Sequence, residues 1–199
     1  RFRPDPLLRS QLRNELRLAS SRPVIGVIAR FHPIKNHHFV IKSLGLLASR
    51  GWKFSIVLAG EGVALSNEAL MNWVNKYELT EETIVLGPRE DIEVVLNGLD
   101  VLVLGSDSEG FPNVLGEAMA CGVPCISTLV GEAGCVIGDR GWLIPPRDDH
   151  ALLIALENAL TLLSSPQYSE LRLRARSRIV SQFSNSRMLS EYTNLWARI

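Results

Sequence analysis

Six short apolar runs constrain this chain more than any other feature. They lie at 24–29, 54–59, 83–86, 100–104, 125–128 and 141–146, and each ends in turn-forming residues. None has the length of a typical helix. Most are apolar at successive positions rather than at alternate ones, the pattern of strands covered on both faces. Segments with helical spacing of apolar residues separate them, as at 36–50, 64–78 and 91–98. Strand and helix alternating five or six times predict an α/β fold, a doubly wound parallel sheet with right-handed crossovers. Pro145 and Pro146 close the last run, so that strand is expected at a sheet edge.

At 199 residues the chain has the size of one domain with a real core. Its 21 basic and 21 acidic residues balance, so neither a nucleic-acid surface nor an acidic tail is indicated. The sequence lacks any apolar run near the ~18 residues of a membrane span and any signal peptide. Its opening, Arg1-Phe2-Arg3-Pro4, reads as a cut within a linker, and a short amphipathic helix is expected at 6–18. Cys121, Cys125 and Cys135 form neither a disulfide framework nor a zinc pattern, and buried free thiols in a reducing compartment are expected.

The candidate chemistry sits at strand ends. After the first strand come Arg30 and Lys35, two cations just before a helix, which suit a phosphate pair. Open α/β sheets bind ligands outside the carboxyl ends of their strands. His37 and His38 follow. Adjacent helical residues diverge by about 100°, so the pair is poorly placed to share a metal ion, and no metal site is expected. Gly60-Glu61-Gly62 follows the second strand and lacks the third glycine of a dinucleotide fingerprint. Arg89 follows the third strand. It could stack on a base, pair with a phosphate or stand exposed on a loop.

The most informative stretch runs from Ser108 to Pro124. It follows the fourth strand, and Pro112 suits the first position of a helix that ends near Cys121-Gly122. The amide groups of Asn113, Val114 and Leu115 are then expected to face the loop and favour an anion. Glu109 precedes this helix, and Glu117 lies roughly 7 Å along it at about 1.5 Å per residue. Two acids so spaced could flank an extended ligand with phosphates between them. A Gly-capped helix with two solvated glutamates is the plainer alternative.

Glu109-x7-Glu117, written EGFPNVLGE and followed by AMACGVP, resembles the signature of family-four retaining glycosyltransferases with the GT-B fold. The resemblance covers nearly the whole chain. It implies a Rossmann-like half of a GT-B fold, the carboxy-terminal donor-binding domain, with a helical tail. Residues 1–22 would be the inter-domain segment, 23–182 the nucleotide-sugar-binding domain, and 183–199 a terminal helix that packs on an amino-terminal, acceptor-binding domain. It implies metal-independent transfer of a hexose from a nucleotide diphosphate sugar, such as a UDP- or GDP-hexose, to a glycan or lipid-linked acceptor. A non-catalytic nucleotide-sugar-binding subunit is the alternative.

In that family Arg30 and Lys35 would neutralise the diphosphate, Glu109 would contact the donor sugar, and Glu117 would hold the ribose. Gly110, Phe111, Pro112, Asn113, Val114 and Leu115 would form the loop and helix start against the donor, and the chain around Arg89 would read the base. No separate cofactor is implied, and the setting would be cytoplasmic, with contact at the inner face of a membrane left open. Two departures stand out. Asn36 replaces a frequent Gly, which questions the turn beside Lys35, and Leu129 replaces a frequent Asp. An oxidoreductase of the dinucleotide-binding type fits less well, because Gly-x-Gly-x-x-Gly is missing after the first strand.

The rest of the chain reads as helical. Asp148 or Asp149 caps a helix bearing Leu152, Leu153, Leu156, Leu160 and Leu163. Pro166 starts a basic one with Arg172, Arg174, Arg176 and Arg178, read as a solvated face in preference to a membrane surface. Asn185 is expected to cap the last helix, 186–198, whose apolar face needs a partner.

Overall fold

The computed structural model describes residues 1–19 and 21–196. The strands are β1 (Val24–Ile28), β2 (Ser55–Ala59), β3 (Thr83–Gly87), β4 (Val101–Leu104), β5 (Cys125–Thr128) and β6 (Trp142–Ile144). The helices are α1 (Pro6–Glu15), α2 (His37–Ser49), α3 (Glu68–Lys76), α4 (Ile92–Gly98), α5 (Asn113–Ala120), α6 (Ala133–Ile137), α7 (Asp149–Leu162), α8 (Pro166–Gln182) and α9 (Asn185–Trp196). The strands form one parallel sheet in the order β3-β2-β1-β4-β5-β6, with β6 at an edge as its prolines require. The chain builds outward from β1 to β3, crosses back, and builds outward again from β4. The order therefore reverses between β1 and β4, where Ile25 pairs with Val101. A crevice opens at such a reversal because the connections leave the two strand ends in opposite directions.

Every residue of β1, β2, β4 and β5 is buried. Two apolar layers explain why. On one face α2, α3 and α7 contribute Phe39, Leu44, Leu47, Leu70, Val74, Leu152 and Leu156. On the other α1, α4, α5, α6 and α8 contribute Leu12, Val95, Leu115, Met119, Val136, Ala175 and Ile179. Each fully buried aliphatic side chain contributes about 1.5–3 kcal/mol relative to exposure.

Polar contacts fix the end of the sheet away from that crevice. Asp100, immediately before β4, is buried and accepts from Arg9 at 2.6 Å, from Arg13 at 2.7 Å and from the Val24 amide at 2.8 Å. The Tyr168 hydroxyl donates to its carbonyl at 2.7 Å. These bonds clamp α1 and α8 to the amino ends of β1 and β4.

Polar side chains at the caps set the helix starts, two of them away from expectation. The helix expected from 64 begins at Glu68, because Asn67 accepts from the Leu70 amide at 3.1 Å. Asp148, one of the two expected caps, caps α7 through the Ala151 amide at 2.9 Å. Ser184, not Asn185, caps α9, accepting from the Arg187 amide at 3.3 Å. The end of the expected 186–198 helix, and of the 183–199 segment, lies outside the described residues.

The arginines of α8 are not a solvated face. Arg172 donates to the Gly122 carbonyl at 2.8 Å and Arg176 to that of Ala120, at the end of α5. Arg178 donates to Val136 at 2.9 Å and Cys135 at 2.6 Å, at the end of α6. Cations here satisfy orphan carbonyls at the negative ends of two helix dipoles. Only Arg174 of the four keeps to exposed acids, Asp139 and Glu170. Cys121 and Cys125 are buried, with their thiol pKa values raised by burial, to about 11 at Cys121. Cys135 is exposed, against expectation, because the short α6 turns it outward. Among the described residues no helix is long and apolar enough to cross a membrane.

Candidate active site

The carboxyl ends of β1, β4 and β5 bring three loops together above the crevice. The first begins at Arg30. Gly60, at φ +146°, lies so close that a Cβ there would sit 2.2 Å from the Ala29 carbonyl oxygen. Only glycine lets the end of β2 approach β1 this way. The Phe31 amide donates to the Glu61 carbonyl at 2.7 Å, so the Gly60–Glu61–Gly62 loop lies against the Arg30 loop. A 3-10 turn, Pro33–Lys35, then presents Lys35. Asn36 adopts the left-handed conformation that glycine would, at φ 48° and ψ 50°, and its side chain accepts from the Phe39 amide at 3.3 Å. Asn tolerates this region better than most residues. The turn is therefore kept despite the missing glycine.

The second loop carries Glu109. Its Oε1 accepts from Lys35 Nζ at 2.6 Å and from Ser106 Oγ at 2.6 Å. Both side chains are largely buried, 19% exposed for Lys35 and 9% for Glu109, which makes this more than a solvent-screened surface pair. The third loop supports the second. Thr128 Oγ1 donates to the Ser106 carbonyl at 2.6 Å and the Glu132 amide to the Gly110 carbonyl at 3.0 Å. Gly131, at φ +49°, passes so near that a Cβ would meet the Glu109 carbonyl oxygen at 2.1 Å.

Pro112 occupies the N-cap of α5 rather than its first helical position. The Leu115 amide donates back to the Pro112 carbonyl at 3.0 Å, and its side chain is fully buried. The expected trio of loop-facing amides thus shrinks to Asn113 and Val114. A cavity of about 350 Å³ is lined by Ile28, Ala29, Arg30, Lys35, Glu109, Phe111, Pro112, Asn113 and Val114. Arg30 is exposed and carries no ion pair among the described residues. Two cations, one acid and a helix N-terminus worth roughly +0.5 charge leave the cavity net positive.

Several expected members do not line it. Gly110 lies on the exposed outer turn of the loop. Glu117 is half-buried on α5. Its carboxyl pKa is raised above the usual range by burial, with Arg1 opposing and Glu93 adding. Arg89 is held by Asp91 at 2.7 and 2.8 Å and by Glu15 at 2.6 and 3.2 Å. These bonds raise its pKa further and occupy three of its nitrogens. Neither histidine faces the cavity. His37 is buried, which lowers its pKa to about 4 and keeps it neutral. His38 packs on Trp73 and shares a 3.0 Å hydrogen bond with Tyr77. Among the described residues no group of three His, Cys, Asp or Glu could hold a metal ion.

A larger groove of about 790 Å³ lies alongside, between Phe111, Phe183 and the face of α9. Its lining is mostly apolar, and its one cation and one acid, Arg187 and Glu191, pair with each other at 2.8 Å. It therefore lacks the free charge of the smaller cavity. Ser106, Asp107 and Thr128 were not singled out from the sequence, although short polar residues clustered after β4 and at the end of β5 were the available signal.

Residues 22–161 match the family described as glycosyl transferases group 1. The chain belongs to that family. Among its relatives, the N-acetyl-alpha-D-glucosaminyl L-malate synthase of Bacillus anthracis is 27% identical over 190 residues, 94% of this chain. The chain spans about half of that relative, 48% of its length. Two solved structures share the fold. HepE from Anabaena, solved in complex with UDP-glucose, superposes with a TM-score of 0.85 at 21% identity, over 100% of this chain and 54% of HepE. The C-terminal domain of the group 1 family protein LpcC from Francisella tularensis superposes at 0.75 and 20% identity, over 92% of this chain and 96% of that domain.

Proposed function

We propose that this chain is the donor-binding half of a retaining glycosyltransferase, moving a hexose from a nucleotide diphosphate sugar to a glycan or lipid-linked acceptor. One observation carries the reading. The positive 350 Å³ cavity at the β1–β4 reversal unites Arg30, Lys35, Glu109 and the start of α5. An anion-selective crevice with a carboxylate at its wall suits a diphosphate joined to a sugar. HepE, a structural neighbour, was solved with UDP-glucose, which supports this donor class.

In this reading Arg30 binds the diphosphate as a planar fork and Lys35 as a point charge. The amides of Asn113 and Val114 complete the cradle. These groups stabilise the negative charge that grows on the departing diphosphate, which lets the transfer proceed without a metal ion. Glu109 orients the sugar near its anomeric carbon, and Glu117, on α5 outside the cavity's lining, accepts hydrogen bonds from the ribose hydroxyls of a donor that extends past the cavity. Lys35 moves from Glu109 toward phosphate as the donor enters. The exposed face of α9, with Met188, Leu189, Tyr192, Leu195 and Trp196, is covered by an amino-terminal acceptor-binding half. Polysaccharide biosynthesis on the cytoplasmic side of a membrane fits a lipid-linked acceptor.

Calorimetric titration with UDP, GDP, ADP and their glucose and mannose conjugates tests this. One nucleotide should bind saturably, and Arg30→Ala and Glu117→Ala should each weaken it at least tenfold. Equal affinity in wild type and both variants overturns the assignment.

A further inference from the structure

We infer that Asp107 is a positioning residue, whose carboxylate and amide clasp the chain on both sides of Lys35 and so set the Lys35–Glu109 pair. Its amide donates to the Ile34 carbonyl at 2.8 Å. Its Oδ1 accepts from Asn36 Nδ2 at 3.0 Å. Ile34 and Asn36 are the two neighbours of Lys35, and Asp107 stands two residues before Glu109. A third loop closes the clasp. Arg147, between β6 and α7, binds Asp107 through Nε at 3.0 Å and Nη2 at 2.7 Å.

Backbone geometry points the same way. Asn36 and Arg147 both hold positive φ, +48° and +60°, without being glycine. Such conformations persist when surrounding contacts over-determine them. Both side chains converge on Asp107. Asn36 stands where relatives of the resembling family often carry glycine, and the side chain it gains is the one that reaches Asp107. A flexible lysine ammonium is thereby delivered to a fixed point. Holding it there lowers the entropy lost when a ligand phosphate replaces Glu109 as its partner. Asp107 touches neither Lys35 Nζ nor Glu109 through its own side-chain hydrogen bonds, so it acts through their backbones.

The inference rests on the donor-site reading, and a double-mutant cycle separates the two. The probe is whichever of UDP, GDP and ADP binds the wild-type chain most tightly. Asp107→Ala should weaken it about tenfold, equivalent to about 1.4 kcal/mol. Asp107→Asn, which still accepts from Asn36, should recover most of that loss. In a Lys35→Ala background, Asp107→Ala should change affinity less than twofold, since its effect passes through Lys35. Asn36→Gly keeps the turn and removes one arm of the clasp, and should reproduce part of the loss even if Asp107→Ala folds poorly. If Lys35→Ala weakens binding but Asp107→Ala and Asn36→Gly do not, the clasp is wrong. Equal losses from Asp107→Ala with and without Lys35 overturn it too, by showing a merely structural role. If no nucleotide binds, or Lys35→Ala leaves affinity intact, the donor-site reading fails and takes the inference with it.

Discussion

Two carboxylates flank the same strand. Asp100 precedes β4 and Glu109 follows it, and each pairs closely with cations. Asp100 is saturated. Two arginines, an amide and burial from solvent leave it nothing to offer a ligand. Burial lowers the pKa of its partner Arg13, with Asp100 opposing, the mark of a charge that must stay paired. Glu109 accepts its described bonds at one oxygen, beside Arg30, which has no ion pair among the described residues, and a helix N-terminus, both opening on a cavity. An ion pair is therefore not itself a sign of function. What separates the two ends of β4 is residual capacity: the amino end is closed and the carboxyl end keeps unused donors.

The largest expected effect breaks the closed end. Asp100→Asn removes the carboxylate that Arg9 and Arg13 share and should cost about 3–5 kcal/mol of stability, seen as a lower urea midpoint. Arg30→Ala should do the opposite. Stability should stay within about 0.5 kcal/mol. Nucleotide affinity should fall about ten- to hundredfold, because a charge-assisted hydrogen bond is worth about 1.5–3 kcal/mol. Arg178→Ala probes the closed architecture more gently. Freeing two carbonyls at the end of α6 should cost about 1–2 kcal/mol in denaturant melts without touching ligand affinity.

The smallest effect depends on pH. The folded-state pKa of Glu117 is raised by burial, so the folded protein binds that proton more tightly than the unfolded chain. The ionised carboxylate therefore subtracts stability above the folded pKa, and the penalty disappears as pH falls below the unfolded value. Glu117→Gln should raise the melting temperature slightly at pH 7.5, and the gain should vanish by about pH 4, close to the ordinary glutamate value. The same variant should bind nucleotide more weakly, the trade expected when a carboxylate is kept for function rather than stability.

The comparison also explains what the sequence made legible. Strands β1, β2, β4 and β5 were readable because burial on both faces demands continuous apolar runs, and half-buried β3, at the sheet edge, still shows its apolar Ile84-Val85-Leu86. That Arg30, Lys35 and Glu109 meet at one cavity was readable because the loops after such strands converge at the reversal of strand order. Asp100 was opaque, since its arginine partners lie 91 and 87 residues away and no periodicity links them. The α8 arginines misled for a related reason: spacing along one helix cannot show that the carbonyl ends of two others lie beneath it. Leu115 was misplaced because its amide closes a tight turn on the Pro112 carbonyl three residues back, a local bond that spacing alone does not show. Arg89 looked available because its second carboxylate, on Glu15, comes from a helix far away in the chain.

The central claim is that ligand capacity lies at the carboxyl end of β4 and not at its amino end. Amide hydrogen exchange, measured with and without the tightest-binding nucleoside diphosphate, tests it directly. Protection should appear across residues 30–36 and 106–116, and exchange in Pro6–Glu15 and around Asp100 should not change. Protection confined to α1 and Asp100, with residues 30–36 and 106–116 unaltered, would contradict the account.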